Sequence, residues 1–185
     1  MTDSTIDIPG YKAGTWVLDP VHSEVTFSVR HMMISKVRGS FGVKAATLVA
    51  PENPLETTVT ATADVASVNT NSEQRDQHLR SADFFDAETF PTIGFTSTGV
   101  RVEGGDFLVD GDLQIRGITK PVTFEVEFNG FGTDPYGNYK AGATAKTVIN
   151  REDFGLTWNA ALESGGIMVG KDVTIELDLQ GTIQS

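Results

Sequence analysis

The chain has no cysteine among its 185 residues, so disulfides, thiol nucleophiles and thiolate metal sites are all excluded. It has three histidines: His22, His31 and His78. The first two differ by an odd number along one extended stretch and so face opposite sides, and the third lies far from both. No pair of them has a spacing that converges on a metal, and neither a metal nor a cofactor is expected. Basic residues are scarce too, with 14 Lys and Arg against 25 Asp and Glu and a net charge of −11. A phosphate backbone repels such a surface and no basic run offsets it, so no nucleic-acid partner is expected; an anionic membrane surface is disfavoured for the same reason. No stretch is long and apolar enough to span a bilayer. The start, with Asp3, Ser4, Thr5 and Asp7, has neither the basic nor the apolar region of a secretory signal, and the expected location is cytoplasmic. There is no Gly-x-Ser-x-Gly elbow and no phosphate-binding glycine loop. Ser23, His31 and Asp19 are the residue types of a nucleophilic triad, but proximity in sequence supplies no triad geometry. No catalytic residue is assigned.

What the chain has is alternation. Val25, Phe27, Val29 and His31 alternate with Thr26, Ser28 and Arg30, the period of a strand with one face inside and one in water. The pattern returns in Val37, Gly39, Phe41, Val43 and Ala45, and in Val59, Ala61, Ala63 and Val65. Ile93, Phe95 and Ser97 come next, then Phe107, Val109, Leu113 and Ile115 around Gly111. Val122, Phe124, Val126 and Phe128 follow, then Ala141, Ala143, Ala145, Thr147 and Ile149; Val173, Ile175, Leu177 and Leu179 close the series. Turn signals at Glu103-Gly104-Gly105-Asp106, at Asp134 to Asn138 and at Gly117 to Pro121 make the neighbours antiparallel. The fold class is all-β, about eight strands closing as a barrel. Residues 1–13 read as a flexible N-terminal tail and residues 14–185 as a single domain. Thr70 and Glu73 have the spacing of a capping box, Arg75/Leu79 and Asp76/Arg80 lie one turn apart, and a short helix is expected near residues 72–80. The aromatic stretch Phe84, Phe85 and Phe90 should dock over one end of the barrel or against its side.

Two interiors fit this pattern. Alanines at 61, 63, 141, 143 and 145 leave space for an apolar guest. Alternatively, Phe27, Phe41, Phe95 and Phe124 fill that space. His31 shares the inner face near a strand end. It can meet a ligand's polar head, or be satisfied by the protein itself.

Read in order, several motifs resemble one family. They are Asp19 with His22-Ser23, Gly39 and Phe41, Thr70, Arg75-Asp76, His78-Leu79, Asp83-Phe84-Phe85-Asp86 and Phe90-Pro91. Gly111-Asp112-Leu113, Gly117-Ile118-Thr119-Lys120, Arg151 to Gly155, Gly165-Gly166 and Val169-Gly170 complete the series. From about Gly14 onward the chain resembles the YceI-like polyisoprenoid-binding proteins. The resemblance implies an extended, lipocalin-like, eight-stranded antiparallel barrel, a homodimer, and a long isoprenoid-like lipid in the interior: a polyisoprenoid, an isoprenoid quinone or a fatty-acid derivative. On that reading Phe27, Val29, Phe41, Phe95, Leu113, Ile115, Phe124, Ala143 and Ile175 line a tunnel. Phe84, Phe85, Trp158, Ile167 and Met168 cover its openings, and His31 and Arg151 are its polar contacts. The rival readings are an enzyme on an apolar substrate with His31 as general base, and an interaction module with a filled barrel.

Overall fold

The computed structural model describes residues 7–159 and 168–184. Among them, the alternating segments form β1 (Gly14–Leu18), β2 (Glu24–His31), β3 (Ser35–Ala50), β4 (Thr58–Asn69), β5 (Thr92–Glu103), β6 (Asp106–Ile115), β7 (Ile118–Thr133), β8 (Tyr139–Asn150) and β9 (Val169–Ile183). One helix, α1 (Glu73–Arg80), lies between β4 and β5. The strands pair around a ring in the order β3-β2-β9-β8-β7-β6-β5-β4, and β3–β4 pairing closes it. Every pairing is antiparallel, as short turns such as Arg116-Gly117 and Gly104-Gly105 require. β7 begins at Ile118 directly after that first turn, so Ile118 to Pro121 belong to the strand and not to the turn the sequence suggests.

Nine strands make an eight-stranded barrel because β1 and β2 share one slot between β3 and β9. Trp16 pairs with Leu48 and Ile183, while Phe27 pairs with Gly39 and Ile175. The break between them is held by the Asp19/His22-Ser23 motif. The Asp19 amide donates to the Gln180 carbonyl at 2.8 Å, and the Gln180 amide donates to Ser23 Oγ at 3.0 Å. The Asp19 carboxylate accepts from the Val21 amide at 3.0 Å and meets His22 Nδ1 at 2.7 Å. That His22 bond holds the carboxyl below its usual range. These residues bridge a gap in a strand, and no triad with His31 forms.

Bulges interrupt the pairing of several strands. In β3 the pairing slips between Val43 and Ala45, so Ala46 and Leu48 turn inward and Ala45 is exposed. The strict alternation read through Ala45 fails there because the extra residue of a bulge reverses parity. Similar slips follow Ser97 in β5 and Phe128 in β7. The barrel has two unlike ends. The tail end carries the β3–β4, β5–β6 and β7–β8 connections, together with residues 7–13. Those residues were read as part of a flexible tail. Here Ile8 is buried, the Tyr11 hydroxyl donates to the Pro51 carbonyl at 2.5 Å and the Tyr139 hydroxyl donates to the Gly10 carbonyl at 2.5 Å. Burial raises the Tyr11 pKa.

The helix end carries α1 and the aromatic stretch after it. Ser72, not Thr70, caps α1, its Oγ accepting from the Arg75 amide at 3.3 Å. Thr70 is buried instead. Its amide and hydroxyl both donate to Asp76 Oδ1, at 2.9 and 2.5 Å, and Arg75 Nε donates to its Oγ1 at 2.8 Å. With Asp76 so occupied, Arg80 pairs with Glu73 at 3.1 Å, and neither the capping box nor the Asp76/Arg80 pair forms. The clasp fixes the helix to the end of β4.

Two glycines are required by close approach. Gly39 faces Phe27 across β2–β3, and the Phe95 ring lies over Gly111 of β6; a Cβ on either glycine would overlap the facing ring. Replacing Gly111 by Ala should cost about 1–3 kcal/mol by forcing Phe95 from its rotamer. A lowered thermal midpoint checks this, against Gly99→Ala, where a Cβ meets nothing within 4 Å and the midpoint should hold.

Candidate functional site

The closed wall encloses a cavity of about 890 Å³. That lies in the upper part of the range of roughly 300–1,000 Å³ for small-molecule pockets. It is bordered by β9 from Val169 to Gly181. At about 3.3 Å per residue and a strand tilt of about 40°, that stretch spans on the order of 30 Å along the barrel axis. The interior is not filled by its own side chains.

The strand order explains the space. β4 and β8 are four places apart in a ring of eight, so they face one another across the barrel. Ala61 and Ala63 line the cavity from β4, and Ala141, Ala143 and Ala145 line it from β8. Side chains therefore reach least far inward along that diameter. The aromatic bulk stands on other strands, where Phe27 meets Phe41 and Phe95 meets Phe124, each pair at 5.3 Å between ring centres. Leu113, Ile115 and Ile175 complete the dry wall, with Val29 further toward the helix end.

Both ends of the cavity are aromatic, but their polarity differs. At the tail end Trp16 packs against Phe131 at 6.0 Å and Tyr139 at 5.9 Å, and Ile8 and Tyr11 border the space. At the helix end Trp158 meets His78 at 4.7 Å and Phe84 at 5.3 Å, while Phe85 stands edge-on to Phe41 at 5.3 Å. The charged and imidazole groups that line the cavity, His31, Arg75, His78 and Arg151, all lie at the helix end. Met168 lines it there as well, while Ile167 and the Gly165-Gly166 turn fall outside the described residues. The other residues expected to line or cover a tunnel all border this one cavity.

Arg151 is more than a lining residue. It is 3% exposed, and its guanidinium is caged by carbonyls. Nε donates to Gly170 at 2.7 Å, Nη1 to Leu156 at 2.5 Å and Trp158 at 3.0 Å, and Nη2 to Val169 at 3.2 Å. Desolvation by burial lowers its pKa. Four donors spent on backbone make it a clamp between the segment after β8 and the start of β9. His31 is different, since its ring makes no hydrogen bond to another described residue while bordering the cavity. Among the described residues, no cluster of three His, Asp or Glu could hold a metal.

Sequence reasoning did not single out Ile8, Tyr11, Trp16 or Leu48, nor His78 as a lining residue. Trp16 was within reach, because it alternates in a β segment. Leu48 was hidden by the bulge, and Ile8 and Tyr11 lie in a segment without periodicity.

A model of the YceI-like domain matches residues 16–181. The chain belongs to the YceI-like family. This YceI-like chain is 41% identical over 170 residues to UPF0312 protein SAS2572 of Staphylococcus aureus strain MSSA476, covering 91% of this chain and 97% of that one. Among solved structures it is similar to Burkholderia cenocepacia BcnA, with TM-score 0.76 and 23% identity over 88% of this chain and 98% of the other. It is also similar to a polyisoprenoid-binding domain of Saccharophagus degradans implicated in plant cell wall breakdown, with TM-score 0.68 and 15% identity over 94% and 100% of the two chains. At these identities the two structures show a shared YceI-like fold.

Two variants test this geometry. Arg151→Met strands several buried carbonyls and should destabilise the fold by about 3 kcal/mol or more, read by urea unfolding. Ala143→Trp places an indole on the alanine wall of the YceI-like interior. It should leave the barrel folded, with its circular dichroism spectrum unchanged, and abolish long-chain lipid uptake measured by native mass spectrometry.

Proposed function

We propose that this protein binds one long, apolar, isoprenoid-like lipid inside the barrel, to carry or store it, with the lipid's polar head at the helix end. The observation that carries this is the cavity itself: an apolar channel running the length of the barrel, with charged and imidazole groups at one end only. Burying ten methylene-sized groups yields about 8 kcal/mol at roughly 0.8 each. That corresponds to a dissociation constant near 1 μM before ordering costs. Directional contacts are then needed only for the head, and His31, Arg75 and His78 stand where they can supply them. The similarity in fold to a polyisoprenoid-binding domain supports the same class of ligand.

Binding is a better reading than His31 acting as a general base. A general base needs a proton to take and a group that orients it. Among the described residues the His31 ring has no carboxylate or hydroxyl partner.

The two tryptophans of the chain, Trp16 and Trp158, border opposite ends of the cavity. An isoprenoid quinone that fills the channel should quench both. Titrating Trp16→Phe and Trp158→Phe variants with such a quinone should show saturable quenching at each end with the same affinity. Absence of quenching in both, together with a clean apo mass after incubation with quinones and fatty acids, would refute the reading.

A further inference from the structure

We propose that the β2–β3 hairpin docks the helix end of the barrel onto an anionic lipid bilayer. The inference rests on the hairpin itself and goes beyond the carrier reading, which supplies only its purpose. The hairpin borders the cavity's polar end: His31 and Met168 both line the cavity, and the Met32 amide donates to the Met168 carbonyl at 2.6 Å.

The tip is apolar and in water. Met32, Met33 and Ile34 are 42%, 59% and 82% exposed. The turn is also a poor one for these residues. Met32 and Met33 have φ of 55° and 61°, and the Ile34 amide donates to the His31 carbonyl at 3.3 Å. They are two successive left-handed residues in the three-residue loop between the paired His31 and Ser35, a conformation that Gly and Asn adopt with least strain. Two bulky apolar side chains stand instead where folding alone favours small polar ones. A local rule broken at residues this exposed points to a functional surface.

Charge supplies the second argument. The whole chain carries −11, yet residues 25–51 hold Arg30, Lys36, Arg38 and Lys44 and no carboxylate. Strand pairing gathers three of these behind the tip: Arg30 lies directly opposite Lys36, and Arg38 follows on the same outer face. Like charges directly opposite are destabilising. Among the described residues none of the three has an acidic partner, whereas neighbouring Lys171 pairs with Glu152 at 3.7 Å. An apolar tip that enters the acyl boundary, backed by cations at headgroup depth, is the pattern of a protein that lies on an anionic membrane. The sum of charges argues against such a surface, but their placement opposes the sum.

The experiment is flotation of the purified full chain with vesicles of phosphatidylcholine alone and of phosphatidylcholine with phosphatidylglycerol. The wild type should float with the anionic vesicles only. It should release between about 0.1 M and about 1 M salt, as the screening length falls from roughly 10 to 3 Å. Lys36→Gln with Arg38→Gln should lower partitioning about 25-fold at low salt, at roughly 5-fold per cation. Met32→Asn with Met33→Gly should abolish flotation while keeping or raising the thermal midpoint, because it suits the turn, and while leaving quinone quenching of Trp16 and Trp158 unchanged. A wild type that ignores anionic vesicles, or variants that float as well as wild type, would overturn the proposal. So would self-association in sedimentation that the turn variant removes, which would assign the tip to a second copy. Quenching without flotation sinks only the docking, and flotation without quenching sinks only the carrier reading.

Discussion

A closed sheet sets its own bore. Once β3 pairs with β4, the strand number and stagger fix the radius, and side chains can only fill the space or leave it empty. An open sheet with these residues could collapse onto its alanines; a closed one holds them apart. The two alanine walls therefore leave a void, and the phenylalanines between them shape its cross-section. The backbone ladders close the wall, and two apolar clusters, around Leu113 and Ile115 and around Phe41 and Val68, pack inside it.

Such a channel needs ends, and the chain builds them by different means. The tail end is closed by aromatic packing and by tyrosine hydroxyls reaching backbone carbonyls. The helix end is assembled from irregular segments that have no ladder of their own. There, guanidinium groups take its place: Arg151 holds four carbonyls, and Arg116 ties Ala82 and Gly155 together at 3.0 and 2.9 Å. Only arginine offers enough donors in a fixed plane for this, and it keeps its charge while buried.

The wall was legible in the sequence because a period of two is a direct record of which face is buried. Phe27, Phe41, Leu113, Phe124 and Ile175 could be placed by parity alone. The reading failed where parity itself changes. Ala45 was put inside, and Ala46 and Leu48 were missed, because nothing in Val43-Lys44-Ala45-Ala46 announces a bulge. Local spacing also misled at α1. Thr70 and Glu73 sit at capping distance, but the buried Asp76 carboxylate outcompetes the helix terminus for Thr70. The role of Arg151 was half visible: its place beside the cavity was implied by the family resemblance, while its carbonyl partners come from segments that meet only in three dimensions.

The slot between β3 and β9 joins the beginning of the chain to its end. β2 finds one neighbour within a short hairpin, but its other neighbour is the final strand, some 150 residues later, as the bond from Thr26 to Glu176 shows. During synthesis the barrel cannot close until β9 has left the ribosome, and loop closure over that distance is slow. Until then β2 and β8 present bare edges and the apolar bore is open along its whole length. A product truncated before Val169 would be a curled sheet with two unpaired margins, a template for aggregation and not a smaller carrier.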